Sequence, residues 1–204
     1  MKKNICSDNI LYMIWGDIMV KDIDQIFLKH EHSIIAIIPL YIKNCGESTL
    51  IVTKENFTYI VFKNIKTVIK NLMNFHLIDY KALNEKYKKM LSLKRNIPLV
   101  VSDEIFFKFK IREKISKNDI SYAYLNFNYI KDFKNSNIIF ISGEKLLLMC
   151  TKKAFIEASY RYFIISKHSI VEKMKKKQSE NLNDIKNELY SLKKEIEKLK
   201  LKNL

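Results

Sequence analysis

Residues 33–61 read SIIAIIPLYIKNCGESTLIVTKENFTYIV. Three runs in it, SIIAIIPLYI (33–42), TLIVT (49–53) and FTYIV (57–61), are made of β-branched and aromatic residues. Such side chains fit a pleated, half-buried surface. The runs are separated by NCGES and KEN, short polar pieces of the kind that turn the chain. The stretch predicts three successive strands.

The segment from Lys63 to Leu93 changes character. Apolar residues fall at 65, 68, 69 and 72, then at 80, 83, 87, 90 and 91, which is helical spacing in two pieces broken near Asn74. Strand character returns after Pro98 with LVV (99–101) and IFFKFKIREK (105–114). In the latter, Phe107, Phe109 and Ile111 alternate with Lys108, Lys110 and Arg112, which predicts an apolar face on the core and a basic face in water. SYAYLNFNYI (121–130), NIIFIS (137–142) and KLLLMC (145–150) read as three more strands, the last two joined as a hairpin through Gly143. TKKAFIEASYRYFIIS (151–166) reads as a helix with Thr151 as N-cap and Phe155, Ala158, Ser159, Tyr162 and Phe163 along one face. Strand runs and helix runs are segregated, so the class is α+β: a β-rich core, a central helical segment, a C-terminal helix and then a coiled-coil helix.

The expected organisation is an N-terminal segment (1–29), whose residues 1–24 centre on ILYMIW and are read as a short helix or a strand docking on the domain, then an α+β domain (30–168) and a basic linker with a coiled coil (169–204). EKMKKKQSEN (172–181) is polar; after it Leu182, Ile185, Leu189, Leu192, Ile196 and Leu199 follow as the a and d positions of a heptad. Glu188 and Glu195 occupy g, and Lys186, Lys193 and Lys200 occupy e. A parallel pair sets Glu188 opposite Lys193 of a second copy and Glu195 opposite Lys200, whereas an antiparallel pair sets like charges together. The pattern favours a parallel homodimer over an amphipathic helix packed on its own domain.

With 37 Lys+Arg against 22 Asp+Glu, the formal net charge is +15. That points to a polyanion as partner, nucleic acid or an anionic surface. Arg occurs only at 95, 112 and 161, and Lys, Ile and Asn are abundant, a usage that AT-rich coding also produces. There are 3 Gly and no GxGxxG, GxxxxGK[ST] or GxSxG, which excludes Gly-cradled phosphate sites and a nucleophile elbow. Cys6, Cys45 and Cys150 are odd in number and widely spaced, so neither a disulfide framework nor a zinc site is expected, and the compartment is read as reducing. The longest apolar run, Ile34 to Ile42, contains Pro39 and is far shorter than a membrane span. No signal peptide is read at the N-terminus, and a cytoplasmic location is expected.

For chemistry, His30-Glu31-His32 lacks a third ligand, Cys150 closes an apolar strand, and the carboxylates are scattered. Neither a metal, nor a cofactor, nor an enzyme activity is expected. The basic residues are more suggestive. Lys81, Lys86, Lys88, Lys89, Lys94 and Arg95 crowd a helical segment beside Tyr80 and Tyr87. Lys108, Lys110, Arg112 and Lys114 stand at every second position of one strand, a stripe of about 20 Å at ~3.3 Å per residue, enough to follow duplex phosphates. The competing reading is a solvated strand face.

The middle of the chain resembles the bacterial competence transcription factor ComK. Tyr80 through Leu93 into Asn96-Ile97-Pro98-Leu99-Val100-Val101 and Ile105-Phe106-Phe107 is similar to that family's Tyr-containing SYxGR segment, its KxPI-type strand and its short aromatic strand. The Gly and Arg of SYxGR are Ala82 and Leu83 here. Tyr124-Leu125 stand where the family has Trp-Ile, and FISGEKLLLMCTKKAFIEASYR (140–161) matches its strand turn, linker and helix at Phe140, Gly143, Thr151, Phe155, Tyr160 and Arg161. The LytTR-type DNA-binding domain shares the strand–turn–strand–helix ending. The resemblance implies a transcription activator of DNA-uptake genes that binds AT-rich double-stranded DNA as a dimer, with a protease adaptor as a further partner. The expected function is therefore a DNA-binding regulator, with DNA contacts at Lys81, Lys86, Lys88, Lys89, Arg95, Lys108, Lys110, Arg112 and Lys114. The alternative is a structural or adaptor protein that assembles through its globular domain and coiled coil.

Overall fold

The structure, a computed structural model, describes residues 18–42, 45–55, 57–114, 117 and 119–202. The chain divides into two units, Met1–Tyr162 and Phe163–Leu204.

The first unit is β-rich α+β. Its described strands are β1 (Ile18–Val20), β2 (Ile34–Ile42), β3 (Gly46–Thr53), β4 (Thr58–Val61), β5 (Leu99–Val101), β6 (Glu104–Lys110), β7 (Tyr122–Asn126), β8 (Ile130–Lys134), β9 (Asn137–Phe140) and β10 (Lys145–Leu147). Helices α1 (Ile23–Lys29), α2 (Ile65–Phe75) and α3 (Tyr80–Met90) intervene, and α4 (Lys152–Lys202) begins in this unit. Seven strands form one sheet in the order β1-β4-β3-β2-β7-β6-β5, and β10-β9-β8 form a second. The 33–61 stretch gives the β2–β3–β4 meander, with Ile37 opposite Ile51 and Ile51 opposite Tyr59. All pairings are antiparallel except β1 on β4.

One face of the large sheet carries α1 and α2. Ile23, Ile26 and Phe27 of α1 and Ile65, Val68, Leu72 and Met73 of α2 join Ile37, Ile51, Tyr59 and Phe106 in one buried cluster. Each such side chain contributes roughly 1.5–3 kcal/mol by leaving water. The side chains of Asn64 and Asp79 accept from Thr67 N (2.9 Å) and Lys81 N (2.8 Å), capping α2 and, past the break in the predicted helical segment, α3. The other face carries an aromatic cluster. Phe107 and Phe109 of β6 meet Phe127, with ring centroids at 4.7 and 6.0 Å, and Phe155 of α4 lies 5.6 Å from Phe127 and 4.7 Å from Phe133 of β8. These rings seat the small sheet and the first turns of α4 on the large sheet. Thr151 Oγ1 accepts from Ala154 N at 3.2 Å, the expected N-cap. The β9–β10 hairpin turns at Gly143, whose φ of 99° suits glycine.

Three boundaries differ from the sequence reading. Residues 18–29 of the N-terminal segment dock on the domain as a strand and a helix, so the boundary at 29 does not part them from the core: β1 extends the sheet and α1 is in the core; ILYMIW lies outside the described residues. SYAYLNFNYI is one strand, β7, ended by a 3-10 turn at Phe127–Tyr129 that leads into β8 at Ile130, and in the turn the Asn126 side chain accepts from Asn128 N. EKMKKKQSEN is helical, not a linker.

The second unit is the rest of α4. Leu182, Ile185 and Leu189 are exposed at 54, 54 and 61%. Leu192, Ile196 and Leu199 lie on the same helix, but their side chains are outside the described residues. Phe163, Ile170, Val171 and Met174 are exposed as well, so the unpartnered apolar character starts before the predicted heptads. Among the described residues, no helix is long and apolar enough to cross a membrane.

Candidate nucleic-acid interface

Antiparallel register decides where the basic residues of β6 go. Lys108 pairs with Tyr124 and Lys110 with Tyr122, so all four share the face that also carries Phe106 and α2. Lys108 and Lys110 are half-buried, and the Lys108 ammonium lies 5.2 Å from the centre of the Tyr124 ring. The predicted solvated stripe is corrected accordingly: β6 ends at Lys110, and its Lys face is partly covered. Arg112 lies past the strand, bonded through both terminal nitrogens to buried Asp119, and from Nη2 to the Ile120 carbonyl at 3.3 Å. A guanidinium committed in this bidentate way holds its own loop and is not offered to a ligand. Lys114 is exposed beyond the strand end.

Three depressions of the first unit share lining residues in series, two on this face and the third reaching the opposite face at Phe107, Phe109 and the start of α4. The first, of about 550 Å³, is lined by Lys66, Ile69, Lys70, Met73, Ile78, Asp79, Tyr80, Lys81 and Tyr124, among others. The second, of about 290 Å³, shares Lys66 and Tyr124 with it and adds Asn96, Lys108 and Tyr122. The third, of about 580 Å³, shares Asn96, Lys108 and Tyr122 and adds Lys94, Arg95, Lys110, Cys150, Glu157 and Arg161. Lys66, Lys70, Lys81, Lys94, Arg95, Lys108, Lys110 and Arg161 make eight cationic side chains, against Asp79 and Glu157. Two cations are partly matched locally, Arg161 by Glu157 at 3.3 Å and Lys110 by Glu113 at 2.6 Å. Asp79 turns one carboxylate oxygen to Lys81 N and Ala82 N.

Of the basic positions read from the sequence, Lys81, Lys94, Arg95, Lys108 and Lys110 line this track. Lys86 lies 5.6 Å from the Tyr87 ring and Lys88 is 3.2 Å from Glu85; neither they nor Lys89 line it. The sequence reading missed Lys66, Lys70 and Arg161. For the first two the signal was present: they sit one step outside the apolar stripe of α2, beside Ile69 and Met73.

The tyrosines add planar surface. Tyr80 and Tyr122 are 41 and 40% exposed, while burial first, and then the neighbouring Tyr80, push the Tyr124 phenol well above its ordinary pKa. Tyr124 is thus a neutral hydroxyl at physiological pH. Burial also raises the Cys150 thiol, which keeps it protonated and a poor nucleophile. Cations interleaved with aromatic rings along connected depressions can hold a phosphate backbone and stack on bases or sugars. His30, by contrast, is buried between Tyr59 Oη (2.7 Å) and Ser33 Oγ (3.2 Å), a core role, and His32 is exposed.

No family model, curated protein or solved structure matches this chain.

Proposed function

We propose that the protein is a DNA-binding regulator that holds duplex phosphates along the basic, tyrosine-lined track of its first unit and pairs with a second copy through α4. The observation that carries this reading is the ratio of eight cations to two carboxylates around three adjoining depressions. The resemblance to ComK-type competence activators supports AT-rich duplex as the target, a protease adaptor as a further partner, and a cytoplasmic, non-enzymatic role. Fluorescence anisotropy on an AT-rich duplex at two salt concentrations tests it, because backbone binding loses about 0.9 in log–log slope for each phosphate neutralised. A flat salt dependence would exclude the track as a phosphate site.

A second reading is favoured by the exposed Leu182, Ile185 and Leu189: an adaptor whose α4 seam assembles proteins. For both readings Leu189→Lys, which places a charge at an a position, should convert a dimer to monomer in light scattering. Equal masses for wild type and variant would remove the coiled coil from either reading.

A further inference from the structure

We propose that the first depression, between α2 and the α2–α3 corner, binds a small apolar anion: an aryl or acyl body carrying one carboxylate, sulfonate or phosphate. A phosphate backbone needs cations and polar surface, not an apolar chamber. This chamber has both parts. Its volume of about 550 Å³ lies in the ~300–1,000 Å³ range of small-ligand sites, which are mostly apolar with a few convergent polar groups. Ile69, Met73, Ile78 and the Tyr124 ring give it an apolar lining, and Lys66, Lys70 and Lys81, all exposed, stand around it. The Asp79 carboxylate beside them is engaged by two backbone amides at the start of α3. An apolar body inside with its anion among three ammoniums satisfies both parts at once; a neutral or cationic ligand would leave the three lysines unmatched.

The site is coupled to the duplex track by position, since Lys66 and Tyr124 line this chamber and the next depression alike. A bound anion would neutralise cations that the duplex also needs, so the ligand should compete with DNA. This regulatory half rests on the duplex reading above; binding of the anion itself does not.

The probe is 8-anilinonaphthalene-1-sulfonate, titrated by fluorescence against the full chain, with dodecanoate as the acyl competitor. One saturable site per chain is expected. Lys66→Gln/Lys70→Gln/Lys81→Gln should bind about tenfold more weakly, as three partly exposed charge pairs are lost. Asn74→Trp, at an exposed lining position, should abolish binding by filling the chamber. Lys86→Gln/Lys88→Gln/Lys89→Gln should bind like wild type. Displacement by dodecanoate assigns an acyl preference, and its failure beside saturable probe binding assigns an aryl one. Circular dichroism checks the fold, and the exposed lysine triple decides the matter should the Trp variant misfold. Absence of a saturable site, or full affinity in the lysine triple, would overturn the proposal; the latter would move the probe to the exposed apolar residues of α4. Saturable, lysine-dependent binding in a chain that ignores DNA would sink the duplex reading and leave this site standing. Binding of the probe that fails to displace duplex would sink the competition alone.

Discussion

Helices α2 and α3 have the same length, 11 residues each, and opposite compositions. α2 buries Ile65, Val68, Ile69, Leu72 and Met73 and carries Lys66 and Lys70; α3 buries Tyr87 alone and carries Lys81, Lys86, Lys88 and Lys89. Yet α2 sends both of its lysines to the candidate site and α3 sends one. Charge density along the chain does not build a site. A wide apolar stripe fixes the rotation of a helix about its axis, and rotation decides where its flanking cations point. A helix seated on one aromatic residue scatters its charges around the solvent side.

The largest test of that contrast is packing. Leu72→Ala empties a fully packed position of α2 and should cost about 2–5 kcal/mol, the range for buried leucines. Lys89→Ala on α3 should stay within about 0.5 kcal/mol, as exposed substitutions do. Urea unfolding at constant m-value reads both. A Leu72→Ala loss below that of a typical surface change would mean α2 is not the anchor.

Next comes function. Replacing Lys66, Lys70 and Lys81 by Gln should flatten the salt slope of duplex binding by up to about three times 0.9, and replacing Lys86, Lys88 and Lys89 should leave it nearly unchanged. The reverse result would return the DNA to the outer face of α3. Substituting Arg112 tests something else: a buried carboxylate, Asp119, loses its bidentate guanidinium, and the expected readout is lower stability, not a changed slope.

The strands of 33–61 and α2 were legible in the sequence because local pattern and tertiary burial agree there, and α3 was legible from its spacing although it buries Tyr87 alone. β6 was legible as a strand, but not in what its faces meet. Alternation marks two faces; it does not say that both will be covered, one by Phe127 and Phe155 and the other in part by Tyr124 and α2. Arg112 continued the alternation on paper, while its partner Asp119 is seven residues away in an irregular segment that no period describes. Lys66 and Lys70 flank the apolar stripe of α2 in the sequence, but only the docking of α2 beside Tyr124 shows that this flank meets a cleft.

A histidine at its end gives α2 an acid response near neutrality that α3, which has no histidine, lacks. His76 caps the C-terminal end of α2, 6% exposed, with Nδ1 3.6 Å from Glu31 and Nε2 without a hydrogen-bond partner among the described residues. Burial lowers its pKa, an effect that Glu31 partly offsets and His32 reinforces. The unfolded chain therefore binds the proton more readily, and stability is fully present above the unfolded value of about 6.5 and lost as the pH falls below it. His76→Gln should flatten this part of the pH–stability curve relative to wild type. An unchanged curve would place the titration elsewhere.

The smallest effect is the most local. Both helices end in the same way, with a non-glycine residue in the left-handed region: Leu77 at φ 55° after α2 and Ser92 at φ 51° after α3. Leu77 N donates to Asn74 O (3.0 Å) and Ile78 N to Met73 O (2.9 Å); Ser92 N donates to Lys89 O (3.2 Å) and Leu93 N to Lys88 O (2.9 Å). This is the terminating motif whose left-handed position usually holds glycine. A side chain there costs roughly 1–2 kcal/mol, and glycine returns part of it as greater freedom of the unfolded chain. Leu77 is 93% exposed, so Leu77→Gly gives up little packing and should stabilise by about 0.5–1 kcal/mol. Ser92→Gly relieves the same strain, but α3 has little buried surface tying it to the core, and a helix that opens locally passes less of the gain to global unfolding. The expected order in urea is Leu77→Gly above Ser92→Gly, with hydrogen exchange showing the Ser92→Gly gain confined to α3 amides. Equal global gains would mean that α3 unfolds together with α2, and the contrast between an anchored and a loosely seated helix would fail.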